Sequence, residues 1–194
     1  MTGIIDYGAG NLRSVQKALE YLGEPDVISD SESVLDGCDR LILPGVGAFG
    51  QGMEALNAKK LPEYIRRRAK EVPVLGICLG MQFLMRRSFE DGELSFCDGD
   101  VIRFQEGKVP AIGWNCVSAL RSPLFSGIPE GSEFYFVHSY YAPVGEYTIA
   151  RAEYGVPFSA AVWDGKNAYG VQFHPEKSGE KGLALLRNFV RLNG

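Results

Sequence analysis

Val72-Pro73-Val74-Leu75-Gly76-Ile77-Cys78-Leu79-Gly80-Met81-Gln82 is the stretch on which the fold turns. Val74 to Ile77 is a continuous apolar run, the pattern of a central parallel strand covered on both faces. Residues 79–87 read as a helix. Between them lies Gly76-Ile77-Cys78-Leu79-Gly80, a G-x-C-x-G at a strand-to-helix joint, which is the nucleophile-elbow pattern with cysteine in place of serine. The flanking glycines suit a sharp turn that neighbouring backbone passes closely. Such a turn lifts the side chain above the C-terminal edge of the sheet, where open α/β folds bind ligands. A thiol at a helix start also gains thiolate character from the unpaired N–H groups. The plain alternative is a buried cysteine at a tight joint.

Working outward, the first half alternates short strands with helices. Ile4-Ile5 is a strand. Asn11 caps a helix whose Val15, Ala18, Leu19 and Leu22 follow the i, i+3, i+4, i+7 rule. Val27-Ile28 and Leu41-Ile42-Leu43 are further strands, and residues 51–70 read as helical, split by Pro62. In the second half, segments near 100–104, 111–117, 133–137, 147–153 and 158–163 are strand-like. Asp164-Gly165 predicts a hairpin between Ala161-Val162-Trp163 and the strand Tyr169 to Phe173. A last helix covers residues 182–192, with Leu183, Leu186, Phe189 and Val190 on one stripe. The expected fold is α/β, with a mostly parallel central sheet flanked by helices and antiparallel strands added in the C-terminal half, all in one domain over residues 1–194.

Composition narrows the function. The chain has 194 residues, 45% of them hydrophobic, enough for a large core. Its net charge of −4 excludes a basic nucleic-acid binder or a polybasic membrane surface. The opening Met1 to Asp6 is too short and too soon charged for a signal peptide. The Val72–Met85 stretch falls short of the ~20 residues a membrane span needs. Cys38, Cys78, Cys97 and Cys116 form no CxxC pair, and with only two histidines no metal site is expected. Free thiols suit a cytoplasmic chain, most of them as buried filler. Arg66-Arg67-Arg68 reads as a solvated helix face.

Two other stretches bear on the chemistry of Cys78. In Gln172-Phe173-His174-Pro175-Glu176, an extended backbone puts His174 and Glu176 on one side, and Pro175 favours that conformation at His174. A cysteine nucleophile needs an imidazole base, and the imidazole needs a group to orient it. His138 is the competing base. Apart from Glu133 it has no carboxylate within five residues, so a substrate-wall or structural role fits it better. The glycines of Pro44-Gly45-Val46-Gly47-Ala48-Phe49-Gly50 match GxGxxG, but the acidic residue expected at the end of the next strand is replaced by Cys78. The exposed N–H groups of that loop suit an oxyanion hole shared with Leu79.

Gly76 to Gln82 together with His174-Pro175-Glu176 resembles the triad class (class I) of glutamine amidotransferases. Asp6-Tyr7-Gly8-Ala9-Gly10-Asn11-Leu12, Leu43 to Gly47, Pro110-Ala111-Ile112-Gly113-Trp114-Asn115, Tyr135 to Tyr140 and His174 to Ser178 narrow the resemblance to the glutaminase subunits of imidazole glycerol phosphate synthase. The resemblance implies hydrolysis of L-glutamine to glutamate and ammonia through a cysteine thioester. It also implies transfer of that ammonia to a separate cyclase/synthase subunit, which makes imidazole glycerol phosphate and AICAR in histidine biosynthesis. It gives Cys78 as nucleophile, His174 as base and acid, Glu176 as orienter, and Val46 and Leu79 as oxyanion donors. Gly47, Gln82, Glu90, His138, Ser139 and Tyr140 would hold glutamine. Asn11, Trp114, Tyr135 and Lys177 would face the partner in a heterodimer. No cofactor is expected. A glutaminase of another amidotransferase, or a cysteine peptidase or γ-glutamyl hydrolase on the same kind of elbow, stays open at this point.

Overall fold

The computed structural model describes residues 1–87 and 94–192, residues 86 and 87 in backbone only. The main sheet is built from β1 (Thr2–Ile5), β2 (Asp26–Ser29), β3 (Arg40–Gly45) and β4 (Val74–Cys78). After it come β5 (Met85–Arg87), β6 (Cys97–Asp100), β7 (Ile102–Arg103), β8 (Ala111–Val117), β9 (Ser132–His138) and β10 (Tyr140–Tyr141). The chain then returns to the main sheet with β11 (Thr148–Tyr154), β12 (Val156–Trp163) and β13 (Ala168–Val171). Among the described residues that sheet has seven strands in the order β11-β12-β13-β4-β3-β1-β2. The strands from β13 to β2 pair in parallel, whereas β11–β12 and β12–β13 are antiparallel. This is the expected α/β arrangement.

Strand alternation sorts the side chains of the parallel strands onto two faces, and a smaller third cluster gathers Met81, Met85, Cys97 and Val162. Ile4, Ile42, Leu75 and Ile77 point to one face, while Ile5, Leu41, Leu43 and Val74 point to the other. The first face is covered by α1 (Leu12–Tyr21), the last helix and the β8–β9 hairpin. The second is covered by α2 (Glu32–Leu35), α3 (Phe49–Ala58), α4 (Leu61–Arg68) and the short α5 (Leu79–Phe83). Every residue of β4 is buried, as its unbroken apolar run requires. Each fully buried Leu or Ile there contributes roughly 1.5–3 kcal/mol. The last helix, α6 (Gly179–Phe189), buries Leu185, Leu186 and Phe189.

Several local expectations are corrected. Asn11 stands at the N-cap of α1 but makes no capping hydrogen bond. The helix expected over residues 79–87 stops at Phe83, and Met85–Arg87 pairs as a strand with β6, a contact between segments distant in sequence. The helical stretch near 51–70 breaks at Lys60, whose φ is 56, so that Pro62 sits in the first turn of α4 and starts that helix. The last helix begins and ends three residues earlier than expected, and Leu183 and Val190 are only half-buried while Leu185 is buried. Of the three consecutive arginines, Arg68 is no solvated side chain. It is 6% exposed, and its Nη2 donates to the Cys38 carbonyl at 2.7 Å. Cys38, Cys78 and Cys97 are buried and Cys116 is exposed.

The strands β8 and β9 form a separate antiparallel pair, with Ala111 opposite His138 and Val117 opposite Ser132. Phe134 and Phe136 point inward against Phe173, at centroid distances of 4.1 and 5.6 Å. Ile112 and Trp114 point outward.

Candidate active site

Parallel register brings three strand ends together, with Gly45 beside Cys78 and Val171 beside Ile77. Cys78 has φ 55 and ψ −109, a left-handed conformation that a side-chain-bearing residue adopts only where its surroundings impose it. The surroundings do so by close approach. A methyl on Gly80 would lie 1.8 Å from the Leu43 carbonyl oxygen, and one on Gly76 would lie 2.4 Å from the Gly80 carbonyl oxygen. Only glycine lets α5 start directly against β3 and β4.

His174 is extended, with φ −100 and ψ 96, as Pro175 favours. Residues Pro175–Lys177 then form a 3₁₀ turn in place of the straight strand expected, and Glu176 still reaches back to the ring. His174 Nδ1 donates to Glu176 Oε1 at 2.8 Å, and both side chains are almost wholly buried. A carboxylate only accepts, so Nδ1 carries the proton and Nε2 is left for the thiol side. Burial pulls His174 downward, but hydrogen bonds and charge from Cys78 and then Glu176 outweigh it and raise the group to about 9. The β9 strand holds this turn in place. His174 N donates to the Tyr135 carbonyl at 2.9 Å, and Ser178 Oγ donates to the His174 carbonyl at 2.6 Å.

His138 bonds to backbone where His174 bonds to a carboxylate. It is 5% exposed, and its Nδ1 donates to the Tyr140 carbonyl at 2.8 Å. Burial pushes it down to about 4, against the upward pull of that hydrogen bond and with a smaller contribution from the charge of His174. A neutral ring at the cleft wall results.

The cleft above Cys78 encloses about 450 Å³. Val46, Gly47, Leu79, Gln82, His138, Ser139, Tyr140, His174 and Lys177 line it, so most of the residues expected around glutamine do converge there. Glu90 lies outside the described residues. Asn11, Trp114 and Tyr135 do not line the cleft. Trp114 and Tyr135 meet edge to face at 5.9 Å on the outer side of the β8–β9 pair. Asn11 heads α1, which packs against the Pro175–Lys177 turn. One residue was missed from sequence. Gln172 is fully buried, and its Nε2 lies 3.7 Å from Cys78 Sγ. The signal was its position two residues before His174, on the same side of an extended segment.

The burial of His138 makes stability depend on pH. From about pH 4 to 6.5 the unfolded chain binds a proton that His138 refuses, so stability rises with pH. The contribution is on the order of 3 kcal/mol at full extent. Urea unfolding across this range should show the rise, and His138→Asn should flatten it; a slope unchanged by that substitution would contradict the assignment.

Comparison with known proteins identifies the family. Residues 3–192 match the family described as glutamine amidotransferase class-I. Imidazole glycerol phosphate synthase subunit HisH 1 of Vibrio vulnificus (strain YJ016) is 48% identical over 200 residues, covering 97% of each chain. The HisH subunit of Methanosarcina barkeri (strain Fusaro / DSM 804) is 50% identical over 198 residues, covering 96% of each. The structure of PurLQS from Thermotoga maritima superposes with a TM-score of 0.77 at 21% identity, covering 97% of this chain and 96% of that one, which speaks to the fold alone. By family match and by relatives of nearly equal length, the chain belongs to the class-I glutamine amidotransferases, in the branch of imidazole glycerol phosphate synthase HisH subunits.

Proposed function

We propose that the chain is the cytoplasmic glutaminase subunit of an imidazole glycerol phosphate synthase, hydrolysing L-glutamine with Cys78, His174 and Glu176 and passing ammonia to a cyclase/synthase subunit in histidine biosynthesis. The observation that carries this reading is the buried His174–Glu176 pair beside an elbow cysteine at the floor of an open cleft.

The steps follow from the groups. The proton of the Cys78–His174 pair rests on His174, which that pairing and Glu176 raise to about 9, and Cys78 Sγ attacks the side-chain amide carbon of glutamine. The carbon–sulfur bond forms as the carbonyl π bond opens to an oxyanion, which accepts from the N–H groups of Val46 and Leu79. The imidazolium, stabilised by Glu176, protonates the amide nitrogen. The carbon–nitrogen bond breaks and ammonia leaves. Water, deprotonated by His174, then attacks the γ-glutamyl thioester, and the thiolate departs beside the imidazolium, which restores the starting pair. The remaining lining residues, Gly47, Gln82, His138, Ser139 and Tyr140, hold the substrate.

The partner docks over the cleft mouth. Val46, Ile112, Trp114 and Tyr140 expose 42, 61, 56 and 40% of their surface there and on the adjoining β8–β9 face, an apolar group that supports a protein contact. Asn11, Trp114, Tyr135 and Lys177 belong to this contact. Removing one oxyanion donor costs roughly 10²–10³ in rate, so a rearrangement of the exposed Val46-Gly47 segment on docking can switch the reaction. Glutamine hydrolysis should be weak for the chain alone and rise by about that factor when the synthase subunit and its ligand are added. Full activity of the isolated chain would contradict this arrangement.

A further inference from the structure

We propose that Gln172 is a further catalytic residue, whose side-chain amide donates to Cys78 Sγ and stabilises the thiolate during both acylation and deacylation. The inference rests on the reading of Cys78 as nucleophile and adds to it a side-chain amide donor at the reacting sulfur, across from the Val137 carbonyl that accepts from Sγ at 3.6 Å.

The polarity of the amide network fixes which end of Gln172 faces the sulfur. Its fixed point is the Tyr140 carbonyl, which can only accept. Gln82 Nε2 donates to that carbonyl at 3.2 Å and to Gln172 Oε1 at 3.2 Å, which uses both of its hydrogens. Gln172 therefore presents oxygen to Gln82 and its NH₂ group to Cys78, where Nε2 lies 3.7 Å from Sγ. Sheet register leads to the same place. Val171 pairs with Ile77, so Gln172 comes alongside Cys78, and His174 reaches the same sulfur two residues later.

A fully buried primary amide is unfavourable unless it is hydrogen-bonded, and an apolar side chain would fill this volume more simply. The bond to a neutral thiol is weak. It becomes charge-assisted when the sulfur is an anion. The anion occurs twice in the cycle, before attack on the amide and as the leaving group from the thioester. Gln172 does not line the cleft and meets glutamine only through Gln82, from whose Nε2 it accepts, so a variant that keeps that acceptor confines its effect to the chemical steps.

The test uses Gln172→Met, close in volume with no amide, and Gln172→Glu, the same shape with an oxygen in place of the donor. Both are made in a Cys116→Ser background, which removes the exposed thiol. Wild-type thermal unfolding establishes that each is folded, and Gln172→Glu carries the test if the methionine variant does not fold. With the chain alone, iodoacetamide labelling of Cys78 at neutral pH should slow about 10-fold, and more in Gln172→Glu. With the synthase partner, kcat for glutamine should fall about 10–100-fold in both, with KM within about twofold in Gln172→Glu, which keeps the acceptor for Gln82, and the acidic limb of the rate–pH profile should move to higher pH. A folded variant with the wild-type labelling rate and kcat overturns the role of Gln172. A Cys78→Ala control separates the two claims: if it still hydrolyses glutamine the nucleophile assignment itself fails, and if it is inactive while Gln172→Met behaves as wild type, the Gln172 inference alone fails.

Discussion

Replacing Cys78 by alanine is expected to abolish glutamine hydrolysis, by roughly 10⁴-fold or more, while leaving the fold and the partner contact in place. The size of the effect follows from how the site divides its labour. His174 is raised to about 9 by Cys78 and Glu176, so the imidazole is tuned to exchange a proton with the sulfur. Without the thiol it would have to activate water directly. The neighbouring Gln82, His138 and Tyr140 contacts do not depend on the sulfur, so substrate binding should survive. The synthase complex carrying Cys78→Ala should accordingly fail with glutamine yet still form product from added ammonium. If that complex kept its glutamine-dependent rate, covalent chemistry at Cys78 would be excluded. Above about pH 9 the wild-type rate should fall as well, because His174 then lacks the proton that leaving ammonia requires.

Gly80→Ala is expected to destabilise the protein by roughly 4 kcal/mol or more, the largest single-methyl effect anticipated in the elbow. Its added carbon would sit 1.8 Å from the Leu43 carbonyl oxygen, well inside van der Waals contact. Neither side can yield cheaply, since Leu43 belongs to β3 in the middle of the sheet and Gly80 to the first turn of α5. Relief would need α5 to withdraw from the sheet, which also displaces Cys78. Gly37→Ala is the control. Its methyl would first meet the Val34 carbonyl oxygen at 3.4 Å, and the change there should stay within about 1 kcal/mol. Urea midpoints for the two variants check the contrast.

What was legible in the sequence was whatever depended on local chemistry. The apolar run Val74–Ile77 could only be a strand buried on both faces, and the flanking glycines marked a turn with no room for side chains. His174-Pro175-Glu176 carried its own geometry, because proline limits the residue before it. What was not legible depended on distant partners. Met81 to Arg87 looks helical by itself, and only pairing with Cys97–Asp100 makes its end a strand. Four-residue α2 is shorter than any window in which periodicity can be counted. Arg68 shows a signal that was present but outvoted. It lies one turn beyond Tyr64 and Ile65 on the buried stripe of α4, yet three arginines in a row read as solvated. Gln172 was passed over because a polar residue in a strand says nothing of its partner until the register with β4 is known.

The most direct measurement is mass spectrometry of the complex quenched in acid during glutamine turnover. A γ-glutamyl group should be found on Cys78, absent in Cys78→Ala. Turnover at the full rate with Cys78 unmodified, or with the acyl group on another residue, would contradict the thioester mechanism.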